Sequence, residues 1–219
     1  MSPKSILLAA AFVLPTSAFS ATIDFDALDS SSSQTLLTSF TEDGFSFDVS
    51  FVSDGTATGV AIFDTTCTGA ACNGDTDLTP ATQGENGVSG NVMILQENGV
   101  AIPDDDFNGG LFILTLTSGP AFNFVGASAI DDTSFDFGTI IDGVSQDYAS
   151  IDLSANSETD MVTFLSDTVE IGDSIFVRSY GSGGFDSLVL SPVPVPLPAG
   201  LPLMLAGVGA FAWMRRKSA

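Results

Sequence analysis

Histidine is absent from the 219 residues, and there are only five basic residues, two cysteines and one tryptophan. Without histidine the chain cannot form a Ser-His-Asp triad or a Cys-His pair, and zinc sites lose their commonest nitrogen ligand. No glycine-rich phosphate loop opens a predicted helix. These absences predict a protein that is not an enzyme. A pair of carboxylates for glycoside hydrolysis is the less favoured alternative, because acidic residues are abundant.

Basic residues are scarcest in the body of the chain, where Arg178 is the only cation among 27 acidic residues. The negative electrostatic field of such a domain repels nucleic acids and anionic membrane surfaces, so neither is expected as a partner. Divalent cations are more suitable partners for a negatively charged surface. The alternative is that the acidic surface only maintains solubility and that aspartate serves in turns.

The first twenty residues have the pattern of a secretory signal peptide. Lys4 precedes an apolar run over residues 6–14, and small residues follow around Ala18 and Ser20. The apolar run is too short for a stable membrane span. We expect cleavage after Ser20, or alternatively after Ala18, and export through the Sec machinery.

The C-terminal end has three parts. Residues 192–200 form a proline-rich hinge, residues 201–214 carry no charge, and residues 215–219 are a basic tail. From residue 198 to residue 214 a helix would be about 25 Å long, enough for a short transmembrane span. The cations of the tail favour its cytoplasmic location and act as a stop-transfer signal. These cations are Arg215, Arg216 and Lys217.

The hinge contains a five-residue motif, made of Val195, Pro196, Leu197, Pro198 and Ala199. Together with the short helix and the basic end, it resembles the VPLPA-CTERM sorting signal of the PEP-CTERM class of Gram-negative bacteria. The resemblance implies an exosortase as partner and an inner-membrane-anchored precursor. The mature form would lie at the cell surface or outside the cell. The alternative is a plain C-terminal anchor that is never cleaved.

Residues 21–191 are expected to be one β-domain. Phe45, Phe47, Val49 and Phe51 alternate with polar residues, which predicts a strand with one buried face. Asp142-Gly143 predicts a hairpin turn, and Ile23 to Phe25 a short opening strand. About ten short strands separated by turns favour an antiparallel β-sandwich. The segments 23–26, 91–130 and 184–190 resemble secreted PEP-CTERM proteins, which implies a jelly-roll-like sandwich.

A long loop from residue 65 to residue 90 contains both cysteines, Cys67 and Cys72. In an exported protein this pair predicts a disulfide, whose short ring would add about 2 kcal/mol of stability. Calcium is the one cofactor that the sequence suggests, because aspartates cluster beside predicted turns. The alternative is that they are solvated turn residues. The candidate ligands are Asp24, Asp26, Asp104, Asp105, Asp106 and Asn108.

Taken together, these features predict an exported structural or adhesive protein of the cell surface or extracellular matrix, associated with exopolysaccharide or biofilm. A carbohydrate-binding module, with or without calcium, is the alternative. Such modules stack aromatic rings on sugars, yet the domain contains only Tyr148 and Tyr180 besides phenylalanines that alternate like core residues. The single Trp213 belongs to the tail.

Overall fold

The computed structural model describes residues 20–30, 36–68, 77–97, 103–194 and Gly207. Within these ranges the chain forms thirteen β-strands in two antiparallel sheets, which confirms the predicted all-β sandwich. A short 3-10 turn spans Glu85–Gly87. The strands are β1 (Ala21–Ile23), β2 (Ser39–Glu42), β3 (Phe45–Ser53), β4 (Gly59–Asp64), β5 (Asn91–Gln96), β6 (Gly110–Ser118), β7 (Phe122–Ile130), β8 (Ser134–Ile141), β9 (Val144–Asp152), β10 (Thr159–Thr163), β11 (Thr168–Val169), β12 (Ser174–Ser179) and β13 (Gly184–Pro192).

Several predicted features lie outside the described residues. They are the signal peptide up to residue 19, Cys72, the sorting motif 195–199, the apolar segment apart from Gly207, and the basic tail. The part of the chain that is described contains no helix long and apolar enough to cross a membrane.

The two sheets have the strand order of a jelly roll. Sheet A runs β10-β7-β13-β5-β4, with β1 also beside β13 and β11 also beside β7. Sheet B runs β2-β3-β6-β12-β8-β9. From β5 onward the chain passes between the sheets, so that β5-β13-β7-β10 faces β6-β12-β8-β9. These two sets of four strands form the double Greek key of a jelly roll, extended by the remaining strands.

Phenylalanine fills the space between the sheets. Along β3, Phe47 and Val49 are buried and the intervening Asp48 is exposed, as the alternation predicts. Phe185 on β13 lies edge-to-face with Phe112 at 4.8 Å between ring centroids and with Phe25 at 5.7 Å. Edge-to-face contacts between buried rings add to the area that the rings bury.

Sheet A is also covered on its outer side. All six residues of β5 are buried, as are the first five of β4. Leu78 and Val88, from the long loop, pack with Phe63 and Ile94 in a second apolar cluster. The backbone N–H and side-chain hydroxyl of Thr65 both donate to the Gly90 carbonyl, at 2.7 and 2.8 Å, and close the loop. Strands that are covered on both faces have continuous apolar sequences, which accounts for the apolar runs of β4 and β5.

The opening strand begins and ends two residues earlier than predicted. It ends at Ile23, because Phe25 lies in the left-handed region at φ 60° and its buried ring enters the core from a turn. Strands β2 and β11 were not predicted. The hairpin of β8 and β9 is confirmed: Asp142 and Gly143 have φ values of 51° and 78°, as a type I′ turn requires.

Candidate functional site

A buried group of acidic side chains joins three loops at one end of the sandwich. Asp105 precedes β6, Asp131 follows β7, and Ser182 and Gly183 form the turn before β13. The Asp105 carboxylate accepts hydrogen bonds from the Gly183 N–H and from the Ser182 hydroxyl, the latter at 2.5 Å. The Ser182 oxygen also lies 2.7 Å from Asp131 Oδ2. We call Asp105, Asp131 and Ser182 the loop cluster.

One proton cannot serve both contacts of Ser182. A hydroxyl donates a single hydrogen bond, so the second carboxylate must carry a proton itself or share a cation. Asp131 suits this role, because it is fully buried and no polar partner for its Oδ1 lies within the described residues. Burial raises the pKa of Asp131 to about 6, against the opposing hydrogen bond from Ser182. Burial also raises the pKa of Asp105.

Asp77 adds a third acid beside this cluster. Its charge contributes to the raised pKa values of both Asp105 and Asp131. Its Oδ1 is buried and has no hydrogen-bond partner within the described ranges. Its Oδ2 lies 3.5 Å from the Asn156 amide nitrogen. Even so, the described parts of the chain contain no group of three or more acidic or cysteine side chains already positioned to hold a metal ion.

A second acidic group lies around the end of β1. The Glu42 carboxylate accepts hydrogen bonds from the backbone N–H groups of Asp24 and Phe25, at 3.2 and 3.3 Å. Burial, followed by the contact with the Asp24 side chain, raises the pKa of Glu42 to about 7. The Asp26 carboxylate accepts from the Asn91 N–H at 2.9 Å. This group attaches the turn after β1 to the start of β5.

Asp186 is fully buried next to this second group. Its carboxylate accepts hydrogen bonds from the backbone N–H groups of Ser89 and Ser187, at 3.1 and 2.5 Å. Burial raises the pKa of Asp186 to about 8, and the charges of Asp24 and Asp26 add to the shift. Asp186 is therefore mainly protonated at neutral pH, and the hydrogen bonds from the loop hold it in place.

The six candidate calcium ligands do not form one site. Asp26 bonds to Asn91, the first residue of β5, whereas Asp105 pairs with Gln96, the last residue. Five residue steps of a strand separate these ends by about 17 Å. Asp24 therefore belongs with Asp26, and Asp104 with Asp105.

Asp106 already has protein partners on both carboxylate oxygens. Oδ2 accepts from the backbone N–H and hydroxyl of Thr56, at 3.1 and 3.4 Å. Oδ1 accepts from the backbone N–H and side-chain amide of Asn108, at 2.8 and 3.1 Å. Asp106 and Asn108 thus brace the turn before β6 against the turn after β3.

The sequence analysis missed three acids whose pKa values the fold raises: the buried Asp131 and Asp186 and the half-buried Glu42. For Asp186 a signal was present, because it stands in the apolar closing strand, where an unpaired carboxylate is costly. Asp131 directly follows the small and apolar residues of β7, beside Asp132. Nothing in the local sequence indicated that Glu42 would reach the turn after β1.

The sequence matches no protein-family model and no curated protein. Among solved structures, the chain is similar to the crystal structure of Podospora anserina GH26-CBM35 beta-(1,4)-mannanase, with a TM-score of 0.34 and 10% identity. The similarity covers 72% of this chain but only 29% of that one, so the chain spans less than a third of its length. At this TM-score the likeness carries no argument about function.

Proposed function

We propose that this chain is an exported protein that an exosortase sorts to the cell surface or the extracellular matrix. The bounds of the sandwich support this proposal. Strand β1 begins at Ala21, the predicted first residue of the mature protein, and β13 ends at Pro192. Val193 still donates a backbone hydrogen bond to Ala121 at 2.8 Å. Removal of both predicted signals would therefore leave every described strand intact.

The role we propose is structural or adhesive rather than enzymatic, in association with exopolysaccharide or biofilm. The acids with raised pKa values lie where loops join strands, with partners that brace those loops. This use of carboxylates supports a role in holding the sandwich together. No catalytic step is assigned to any of them.

We further propose that calcium neutralises the loop cluster. Two carboxylates share one hydroxyl there, and a buried oxygen of Asp131 has no partner in the described structure, so the cluster needs a proton or a cation. Calcium prefers carboxylate and hydroxyl oxygens. Asp105, Asp131 and Asp77 would supply the carboxylate ligands.

Intact mass of the protein recovered from its host's envelope and medium tests the sorting proposal. A mass that ends between residues 195 and 200, without residues 1–20, is the expected result. A mass that still includes Arg215, Arg216 and Lys217 would show that the tail is only an anchor.

Thermal unfolding of the same sample, with calcium or with a chelator, tests the calcium proposal. We expect millimolar calcium to raise the Tm of the native chain and not that of Asp131→Asn. The exposed neighbour Asp132→Asn is the matched control and should keep the response. An unchanged Tm in the native chain, together with no heat of calcium binding, would refute the proposal.

The carbohydrate-binding alternative has one specific observation in its favour. Tyr180, one of two tyrosines in the domain, is 55% exposed beside Arg178, the only cation of the domain.

A further inference from the structure

The outer face of sheet B has a mixed row of side chains across its central strands. Leu111 on β6 pairs with Arg178 on β12, and Arg178 pairs with Asp136 on β8. Directly paired residues of neighbouring strands project from the same face. Ile175 and Val177 on β12 are buried in the core, so Arg178 projects outward. The row therefore places a cation and a carboxylate side by side on the solvent-facing side.

Tyr180, two residues after Arg178, lies beside this row, and two contacts orient it. Its hydroxyl donates to Asp136 Oδ2 at 2.5 Å. The Arg178 guanidinium carbon lies 5.4 Å from the centroid of its ring, within the range of a cation–π contact. Arg178 also pairs with Asp54, which follows β3. These contacts orient an aromatic ring that is still more than half exposed.

A second exposed aromatic residue lies close by. Phe107 is 81% exposed and belongs to the loop before β6. Its carbonyl oxygen is 3.7 Å from the point where a Cβ on Gly181 would lie, which places it beside the residue after Tyr180. Val52, the β3 partner of Leu111, is 53% exposed. Val52 thus adds apolar surface at the β3 end of the row, and the backbone of Phe107 lies near its β12 end.

This arrangement of side chains adds little to the stability of the fold. Exposed ion pairs contribute about 0–1 kcal/mol, and an aromatic residue that is more than half exposed contributes less through burial than a core residue does. An ordered ring flanked by hydrogen-bonding groups is, however, what recognition of an amphipathic ligand requires, because little conformational entropy is lost on binding.

We propose that Tyr180, Arg178, Asp136 and Asp54 form a binding site for a neutral polysaccharide, which we call the tyrosine face. A pyranose ring has an apolar C–H surface that fits an aromatic ring, and hydroxyls that both donate and accept hydrogen bonds. The guanidinium donates and the two carboxylates accept. Because carboxylates outnumber the cation, the site disfavours anionic chains. The site deepens the proposed surface function and rests on it for access to such polymers.

Electrophoresis of the host-recovered chain through native gels that contain a soluble polysaccharide tests the site. The probes are hydroxyethyl cellulose and galactomannan as neutral chains, and alginate as an anionic chain. We expect a neutral chain to retard the protein, and Tyr180→Ala to weaken binding about tenfold, the loss expected for one aromatic contact. Tyr180→Phe, which keeps the ring but frees it from Asp136, should weaken binding less.

Ile171→Ala is the matched control, since Ile171 is 66% exposed and precedes the opposite end of β12. It should bind like the native chain, and every variant should keep the native Tm. The inference would be overturned if neither neutral chain retarded the protein, or if only alginate did. It would also be overturned if Tyr180→Ala bound the neutral chains as strongly as the native protein. Intact mass reports sorting independently of retardation, so the two proposals can fail separately.

Discussion

The two sheets bury their strands differently, although both are antiparallel and share one core. Strands β4 and β5 of sheet A are covered on both sides, by the core and by the loop that carries Leu78. Strand β3 of sheet B alternates buried and exposed residues and keeps one face in solvent. Asp131 directly follows a strand of sheet A and Asp186 lies on one, and burial accordingly raises the pKa of each, whereas Asp136 and Asp54 of sheet B meet solvent and Arg178.

This difference separates two uses of the same residue type. Around sheet A, carboxylates brace loops, and their protonation is linked to folding. On sheet B, the carboxylates orient side chains that a ligand can reach. Variants of each sheet should therefore change different observables.

The largest effect should come from removing part of the cover of sheet A. Leu78→Ala deletes a fully buried side chain of the second cluster, and we expect it to lower the free energy of unfolding by about 2–5 kcal/mol. Chemical denaturation measures the change. Leu165→Ala, at a 70% exposed site, is the control and should stay within about 0.5 kcal/mol of the native chain. Equal values for the two variants would mean that the loop does not stabilise sheet A.

The stability of sheet B should depend on residues of its outer face that are shielded from solvent. The Phe176 side chain faces outward but is only 4% exposed, because its ring lies against Gly138 on β8. A Cβ at Gly138 would come within 2.2 Å of the Gln146 carbonyl and 2.4 Å of the Phe176 ring. Gly138→Ala should therefore cost about 1–3 kcal/mol through overpacking. The exposed Ser145→Ala on β9 should be neutral, and a neutral Gly138→Ala would contradict the close packing.

The free energy of unfolding should fall as pH rises, because three acids have raised pKa values in the folded state. The pKa values of Asp131, Glu42 and Asp186 are raised to about 6, 7 and 8, so the folded state binds more protons than the unfolded state. The stability that these protons confer is complete below the unfolded pKa values, near 4, and is lost by about pH 8. In chelator, the Tm at pH 8 should lie several degrees below that at pH 5, since 1 kcal/mol corresponds to about 2–4 °C.

Asp131→Asn should flatten the part of this profile near pH 6. The amide is neutral, tolerates the φ of 100° at this position and can donate to the Ser182 oxygen. The Tm at pH 8 should therefore rise, whereas Asp132→Asn, whose charge is only a minor cause of the raised Asp131 pKa, should change the profile much less. A native profile that rises from pH 5 to pH 8 would contradict the assignment of buried protons.

The smallest effect on stability is expected on the tyrosine face. Arg178→Gln removes an exposed ion pair with Asp54 and should cost less than about 1 kcal/mol. Polysaccharide binding should nevertheless weaken. Thermal unfolding and gel retardation of one preparation measure both effects, and a large loss of stability would show that Arg178 is structural.

Local sequence was sufficient to predict the class of fold and several strands. The alternation from Phe45 to Phe51 identified β3, and Asp142-Gly143 identified the hairpin, because both signals depend on neighbouring residues alone. The predicted position of β1 was wrong, since the turn at Phe25 follows from a core that distant strands complete.

The sites depend on pairing between distant strands, which no local pattern records. The tyrosine face needs the register of β12 on both β6 and β8, and the loop cluster needs three loops that are far apart in sequence. The calcium prediction grouped acids that are close along the chain, and it omitted Asp131, which is close to Asp105 only in space. The sorting motif and the disulfide stay predictions, because residues 195–199 and Cys72 lie outside the described residues.

The position of β13 constrains when the domain can fold. This strand lies between β7 and the β5–β1 side of sheet A, yet it is the last strand to be synthesised. Until residues 184–192 are free to pair, β5 with β4 and β7 with β10 are separate halves with an open gap between them. Pairings of such large sequence separation form late and slowly. A chain exported as we propose therefore cannot close sheet A before its last strand has crossed the membrane.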